Sequence, residues 1–521
     1  MDDSNRTPCL NPATGEVIGY SSEDSVEHVR DVIAAARVAQ EAWSATSLKL
    51  RIKAILRVRD DIVDRADELS RIISQDNGKT RCDALAGEVF PAAAAASYYA
   101  KNASRFLRTV SLSAGNLALI NKRSRVRQAP WGVVGVISPW NFPFSIPFSE
   151  VVMALLAGNA VVLKVASQTQ MVGRALEACF QRAGLPDGLF SYVNLPGSLA
   201  GDAFLEGGIN KIFFTGSVAV GKQLAAKAAE TLTPLCLELG GNDPMLVCPD
   251  ADLQRAAGGL VWAGFTNCGQ CCAGVQRVYV HRDIYPQFLD DLRKRVSALR
   301  VGRDTNVDAD LGAMTTSAQA DTVRRHLQDA LNRGAKILVQ SSFPADGGGN
   351  FLPATVLTEV NHSMLVMREE TFGPVVGVQC VADMEEAIRL ANDSPYGLSA
   401  SVWSRDRRAA RRMAERIQAG VVMINDHLMS HGMAETPWGG FKESGIGRTH
   451  GAIGFAEMTQ PQCIIDDLMP GVRKNLWWYP HSEGVYNGIR GLLDMLYARS
   501  LTRRLRGAMS ALRAFPRVFK P

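Results

Sequence analysis

Three observations predict an α/β fold. Short apolar runs alternate with amphipathic segments through most of the chain, the pattern of parallel strands joined by crossover helices. The alternation occurs as two successive series. At 521 residues the chain is also too long for one small core, so two or three domains are expected.

The elements follow in order. The first hundred residues read as helical, since SVEHVRDVIAAARVAQEAW and the stretch after Leu48 keep apolar residues at helical spacing. GNLALINKRSRVRQAP (115–130) is more polar and strand-like, an excursion from the first domain. From residue 132 come the runs WGVVGVIS, NAVVLKV, LFSYVNL, KIFFTG and LCLELGG, with helical segments between them. They predict a nucleotide-binding type of sheet. After Glu238 a second series begins with DPMLV, QRVYV, AKILVQ, PVVGVQC and SASVWS, a second α/β domain. No solenoid repeat or low-complexity linker interrupts it.

The chain after residue 471 differs. Residues 472–521 carry ten Lys and Arg against Glu483 and Asp494, a net +8 that exceeds the whole chain's +5. Ile489, Leu492, Leu493, Leu496, Leu505, Met509 and Leu512 recur mostly at three- and four-residue steps, which predicts one face of a basic amphipathic helix. Trp477, Trp478 and Tyr479 precede it, and such rings suit a membrane interface. Two readings stand: peripheral contact with an anionic membrane, or packing on a neighbouring subunit.

Composition, with 46% apolar and 21% charged residues, is that of a globular protein, and the modest overall charge does not suggest nucleic acid. The N-terminal stretch lacks the basic and apolar regions of a signal peptide, and no apolar run reaches membrane-spanning length. Ten scattered cysteines suit reduced thiols, and the expected location is cytoplasmic.

GFTNCGQCCAGVQRV (264–278) places Cys268, Cys271 and Cys272 within five positions. A zinc site would need a second ligand pair that is missing, so no metal is expected. A redox CxxC would open a helix after a strand, and Cys268–Cys271 lacks that setting. A single nucleophile gains support from elsewhere. Asn141, in the loop SPWNFPFSIP after an apolar strand, offers a side-chain amide for an oxyanion. Glu238 lies between Leu237 and Leu239, where desolvation would raise its pKa toward that of a general base. FFTGSVAVG (213–221) joins strand to helix through Gly216 and Gly221, leaving backbone N–H groups for a pyrophosphate, although the spacing is not GxGxxG. Each feature has a plainer alternative: a turn asparagine, a salt-bridged strand glutamate, packing glycines, an ordinary charge at Lys164.

Taken together, PWNFP (139–143), AGNAVVLK (157–164), FTGSVAVG (214–221), LELGGNDP (237–244), GQCCAG (269–274), EETFGPV (369–375), NDSPYGLSASV (392–402) and PWGGFKESGIGR (437–448) resemble the aldehyde dehydrogenase superfamily. The order is the family's, over roughly residues 8–465. The resemblance implies Cys272 as the nucleophile, Asn141 with the Cys272 N–H holding the oxyanion, and Glu238 activating the hydrolytic water. It implies NAD or NADP as cofactor, with contacts at Pro139, Trp140, Lys164, Ser167, Gly216, Ser217, Gly221, Leu239, Glu370 and Phe372. The domains it implies are cofactor-binding (1–114, 131–238, 427–458), catalytic (239–426), bridging strands (115–130, 459–470) and the tail (471–521), in a homodimer or homotetramer. Two Rossmann-like domains are the implied architecture.

Lys164-Val165-Ala166-Ser167 departs from the family, which often has glutamate at the position of Ser167, contacting the adenosine ribose hydroxyls. A small residue leaves room for a 2′-phosphate, so NADP use is expected. The substrate expected is a small-molecule aldehyde of apolar aliphatic or aromatic type. PFSIPFSEVVM brings Glu150 and no cation, DHLMSHGMAETPWGG brings His427 and His431 but no Arg or Lys, and Phe144, Phe148 and Trp438 are apolar. Succinate-semialdehyde oxidation and CoA acylation are the alternatives; Glu238 counts against the second.

Overall fold

The computed structural model describes residues 6–303, 305–343, 350–469 and 471–519; Lys520, one of the tail's ten cations, lies outside them. The chain divides into two compact units.

Unit 1 comprises 1–106 and 130–459 and contains two open sheets. The six-stranded sheet runs Phe190–Tyr192, Ala160–Lys164, Val133–Ile137, Lys211–Thr215, Leu235–Glu238, with the short Gly445–Ile446 antiparallel at its edge. Its first five strands are parallel. Val133–Ile137 and Ala160–Lys164 are buried throughout, which is why they read as continuous apolar runs rather than alternating ones.

The seven-stranded sheet takes its strands from 243–424, in the order Lys336–Gln340, Thr355–Thr358, Val375–Val381, Val275–His281, Asp243–Val247, Ser399–Trp403, Val421–Ile424. Only Lys336–Gln340 is antiparallel to its neighbour.

The helical reading of the first hundred residues holds for Val26–Ser44, Leu48–Asp64, Ala66–Asn77 and Phe90–Phe106. Ser25 and Ser47 cap the first two, accepting from the N–H groups of His28 and Leu50. Ahead of them, however, the chain forms an antiparallel hairpin, Arg6–Leu10 with Val17–Ser22. Its turn needs Gly15 at φ 77°, a conformation that costs glycine little.

Unit 2 comprises 107–129 and 460–521. Lys122–Pro130 is the middle strand of a three-stranded sheet flanked by Val110–Leu112 and Thr459–Asp467. The excursion thus begins before residue 115, and its Leu117–Leu119 segment is a turn of 3₁₀ helix rather than strand.

The tail is two helices, Glu483–Tyr497 and Leu501–Ala514, where one was expected. Ala498 turns out to an extended conformation at ψ 142° and the chain folds back. The helices close on small residues: a Cβ on Gly491 would stand 2.6 Å from the Gly507 carbonyl oxygen, and one on Gly507 would meet that of Gly491 at the same distance.

Candidate active site

The strand order of the six-stranded sheet reverses beside Val133–Ile137, whose neighbours are Ala160–Lys164 and Lys211–Thr215. Ligands of open α/β sheets bind beyond the carboxyl ends of strands at such a point. Four loops leave those ends here: Ser138–Asn141, Val165–Ser167, Gly216–Ser217 and Leu239–Asn242. Lys164 closes its strand almost wholly buried, and burial lowers its ammonium pKa to about 8. Ser167 opens a 3₁₀ turn three residues on. Ser217 caps the helix Val218–Thr231, its hydroxyl accepting from the Val220 N–H, so the positive end of that helix follows directly on the strand.

The Gly216 N–H donates to the Glu238 carbonyl and the Gly221 N–H to the Ser217 carbonyl, so neither amide is free for a pyrophosphate. What both positions require is the absence of a side chain. A Cβ would come within 2.6 Å of the Phe214 ring at Gly216 and of Leu239 Cδ2 at Gly221.

The cysteine loop precedes Val275–His281 of the other sheet. After the helix Leu253–Phe265, Asn267 and Cys268 both take left-handed backbone conformations, at φ 49° and 56°, followed by Gly269 at 70°. Such strain in non-glycine residues costs about 1–3 kcal/mol each and persists only where surroundings enforce it. Here the enforcement is visible. Asn267 Nδ2 donates to the carbonyls of Asn141 (2.9 Å) and Gln270 (3.1 Å), and its N–H donates to Asp83. Asn141 Nδ2 in turn donates to the Gln270 carbonyl at 3.2 Å. The asparagine loop and the cysteine loop are therefore tied together. Lys79 Nζ, fully buried and paired with Glu88 at 2.6 Å, donates to the Asn141 carbonyl from the other side at 2.8 Å.

Cys272 is half-buried, whereas Cys268 and Cys271 are buried. Its thiol is pushed well above the usual range by a hydrogen bond with Cys271, then by burial. It shares a cavity of about 360 Å³ with Glu238, Leu239, Glu150, Ile146, Ser149, Thr215, Leu398, His431, Trp438, Thr449 and His450. Both Glu238 carboxylate oxygens are buried without a hydrogen-bond partner. Burial and the nearby Glu150 raise this carboxyl well above the ordinary range. Glu150 itself is pushed to about 8 by burial. Outside the lining of this cavity, Glu370 accepts from the Gly241 N–H at 3.1 Å and is pushed by burial to about 7, while the rings of Trp140 and Phe372 meet edge to face at 5.3 Å. A thiol, a base poised by burial and an amide fixed beside them can carry acyl chemistry.

The sequence model of the Aldehyde dehydrogenase family matches residues 1–464. The chain belongs to the aldehyde dehydrogenase family. It is 38% identical over 507 residues to a 4,4'-diapolycopene aldehyde oxidase of a Methylomonas species, covering 97% of this chain and 94% of that protein. Among solved structures it superposes on an NAD-dependent aldehyde dehydrogenase from Sinorhizobium meliloti with TM-score 0.87, at 35% identity over 92% of this chain and 94% of that one. A succinate-semialdehyde dehydrogenase from Burkholderia pseudomallei gives TM-score 0.85, at 35% identity over 89% and 95%. The protein is an oxidoreductase that oxidises an aldehyde with NAD(P)⁺.

In this aldehyde dehydrogenase two residues expected to favour an apolar pocket lie elsewhere. Phe144 and Phe148 stack on each other at 6.0 Å and are fully buried, Phe148 lying 6.0 Å from Phe180; neither lines the cavity. Ile146, between them, lines it instead. His427 is buried, with Nδ1 2.7 Å from Ser401 Oγ and Nε2 3.1 Å from the Ala273 carbonyl, and supports the loop behind the nucleophile. His431 does line the cavity, its ring 4.9 Å from that of His450, which the sequence reading did not single out. Burial holds His431 near 4 and His450 well below its usual value, so both are neutral. His450 directly follows the PWGGFKESGIGRT segment, and that adjacency was the available signal.

Proposed function

We propose that Cys272 is the nucleophile, Glu238 the general base and Asn141 the oxyanion donor of this enzyme. The observation that carries the reading is Glu238: a carboxylate buried without a partner in the same small cavity as a half-exposed thiol. The Cys272 sulfur attacks the aldehyde carbon, and its proton leaves to water or to Glu238. Asn141 Nδ2 and the Cys272 N–H take the oxyanion. Bound NAD(P)⁺ supplies the hydride acceptor. Glu238 then takes a proton from the water that attacks the thioester, and the acid leaves with the thiol restored. Lys164, Ser167, Ser217, Leu239, Glu370, Phe372, Pro139 and Trp140 would hold the cofactor, with Gly216 and Gly221 clearing space. The nearly unhydrated Lys164 ammonium supports this, since it is a buried donor suited to a hydroxyl-rich partner. Residues 131–238 and 427–458 with the N-terminal helices form the cofactor domain in this reading, and 239–426 the catalytic domain.

The substrate we propose is an apolar aldehyde. Names of relatives carry two classes, a diapolycopene aldehyde and succinate semialdehyde. Only the second brings a carboxylate to be neutralised. The residues lining the cavity include Glu150 and Glu238 but no Lys or Arg. A panel of aliphatic, aromatic and semialdehyde substrates, each with NAD and NADP, tests this. Apolar aldehydes should lead in kcat/KM by at least tenfold, and preference for succinate semialdehyde would overturn it.

Two assembly properties belong to the same reading. The edges of the three-stranded sheet make it the contact of a homodimer or homotetramer, checked by light scattering. Unit 2 rests on anionic membrane surfaces. Its helices expose Tyr486, Ile489, Leu493 and Tyr497 on one stripe and Leu501, Leu505, Met509 and Leu512 on another, among arginines. No described helix is long and apolar enough to cross a membrane. Co-sedimentation with anionic but not zwitterionic vesicles, weakening as salt rises, is the expected result.

A further inference from the structure

Unit 2 contains a groove of about 730 Å³ in which no candidate catalytic or cofactor residue takes part. Leu117, Ala118 and Ile120 of the excursion form one wall. Val472, Leu476 and Trp477 form another, Leu492 and Met495 of the first tail helix a third, and Phe515 and Val518 close the end. The groove's only amide side chains are Asn121 and Asn475. Asn121 is committed to Asp467 at 3.1 Å. Apolar lining of this extent has hydrocarbon as its natural occupant.

Charge decides the kind of hydrocarbon. Unit 2 carries fifteen Lys and Arg against four Asp and Glu, a net +11, so the rest of the chain is −6. Arg473 and Lys474 stand in the chain directly between the groove residues Val472 and Asn475. Arg517, beside Val518, locks the wall itself by donating to the carbonyls of Leu476 (2.6 Å) and Trp478 (2.7 Å). An anionic headgroup is attracted to so basic a surface.

We propose that this groove binds one acyl chain of an anionic phospholipid, with the headgroup phosphate beside Arg473 and Lys474. The inference rests on the membrane-surface reading above and adds a discrete site to it: unit 2 draws one lipid chain out of the bilayer rather than only lying on it. Phosphatidylglycerol is the probe.

The full-length protein is incubated with phosphatidylglycerol–phosphatidylcholine vesicles, re-isolated and weighed by native mass spectrometry. One phosphatidylglycerol per chain is expected, with no phosphatidylcholine. Filling the groove with Ala118→Phe and Leu492→Trp should cut retention at least tenfold while the protein still co-sediments with vesicles. Arg506→Glu with Arg513→Glu should abolish co-sedimentation while a monomeric short-chain phosphatidylglycerol is still retained. Turnover of a soluble aldehyde, unchanged in each variant, reports that the fold is intact. Co-sedimentation without retained lipid, or equal retention by the filled variant, overturns the groove and leaves the surface reading standing. Retained lipid without co-sedimentation overturns the surface reading alone. A change in oligomeric mass of the filled variant in lipid-free buffer would make the groove a subunit contact and overturn the proposal.

Discussion

Cys272 rests as a thiol, because its hydrogen bond with Cys271 and its burial both disfavour the thiolate. Cys272→Ala should therefore abolish turnover, whereas Cys271→Ala should keep most of it and lower the thiol's pKa, read by pH-dependent alkylation. If Cys271→Ala were the inactive variant, the pair would be misassigned. For Glu238 the expected phenotype is kinetic: Glu238→Gln should release about one NAD(P)H per site in a burst, then turn over slowly. Loss of the burst would put Glu238 in the earlier step. Glu150 gives a pH prediction. Its folded pKa of about 8 lies above the unfolded carboxylate value. The stability that its neutral form contributes is full in acid and declines as pH rises through 8. Glu150→Gln should thus leave the Tm near pH 5 little changed and raise it relative to wild type at pH 9. Asn141 and Glu238 were legible as candidates because each ends or follows an apolar strand. Phe144 and Phe148 were misread because the helix Ser145–Ala157 is buried on every side, so periodicity could not say which face meets the cavity.

At the scale of elements, a buried ion pair shapes the site. Glu88 Oε2 accepts from the N–H groups of Phe144 (2.8 Å) and Ser145 (3.0 Å), at the start of the helix Ser145–Ala157. Its other oxygen holds Lys79, which holds the Asn141 carbonyl and lies 4.0 Å from the Phe142 ring centroid. Removing one partner strands a charge in the core. Lys79→Met should cost about 3–5 kcal/mol in denaturant unfolding, and a loss under 1 kcal/mol would show that the pair is not coupled to the fold. Nothing in the sequence signalled this network, because it joins residues far apart along the chain. Ser167 was legible only as a departure from the family's glutamate, and the 3₁₀ turn it opens was not. Ser167→Glu should weaken NADP more than NAD in KM, and an equal effect would remove Ser167 from cofactor choice. The parallel strands were legible because burial on both faces leaves an unbroken apolar run. The tail was half legible. Its apolar periodicity gave the helical character, and no proline or glycine between Leu496 and Leu505 marked the turn. What the periodicity could not show is that glycines, rather than the large apolar residues, make the contact between the helices.

Over the whole molecule, charge and chemistry are separated along the chain. Every candidate catalytic and cofactor residue lies in unit 1, whose net charge is −6, while unit 2 carries +11. Removing the tail after Met469 takes away both helices, the aromatic stretch and all ten of its cations, yet no residue that lines the cavity around Cys272. If the tail serves only to bring the enzyme to an anionic surface, the truncated protein should oxidise a short, water-soluble aldehyde with kcat/KM within about twofold of the full chain. The same protein should lose vesicle binding and, with it, any rate advantage on a long-chain aldehyde presented in anionic vesicles. Salt gives the control: each surface-near cation contributes about 1 kcal/mol and is screened within a Debye length, so raising ionic strength should erase that advantage for the full chain while leaving soluble turnover unchanged. A truncated enzyme that is slow on the soluble aldehyde would mean that the tail shapes the active site itself, and surface attraction would no longer account for its charge.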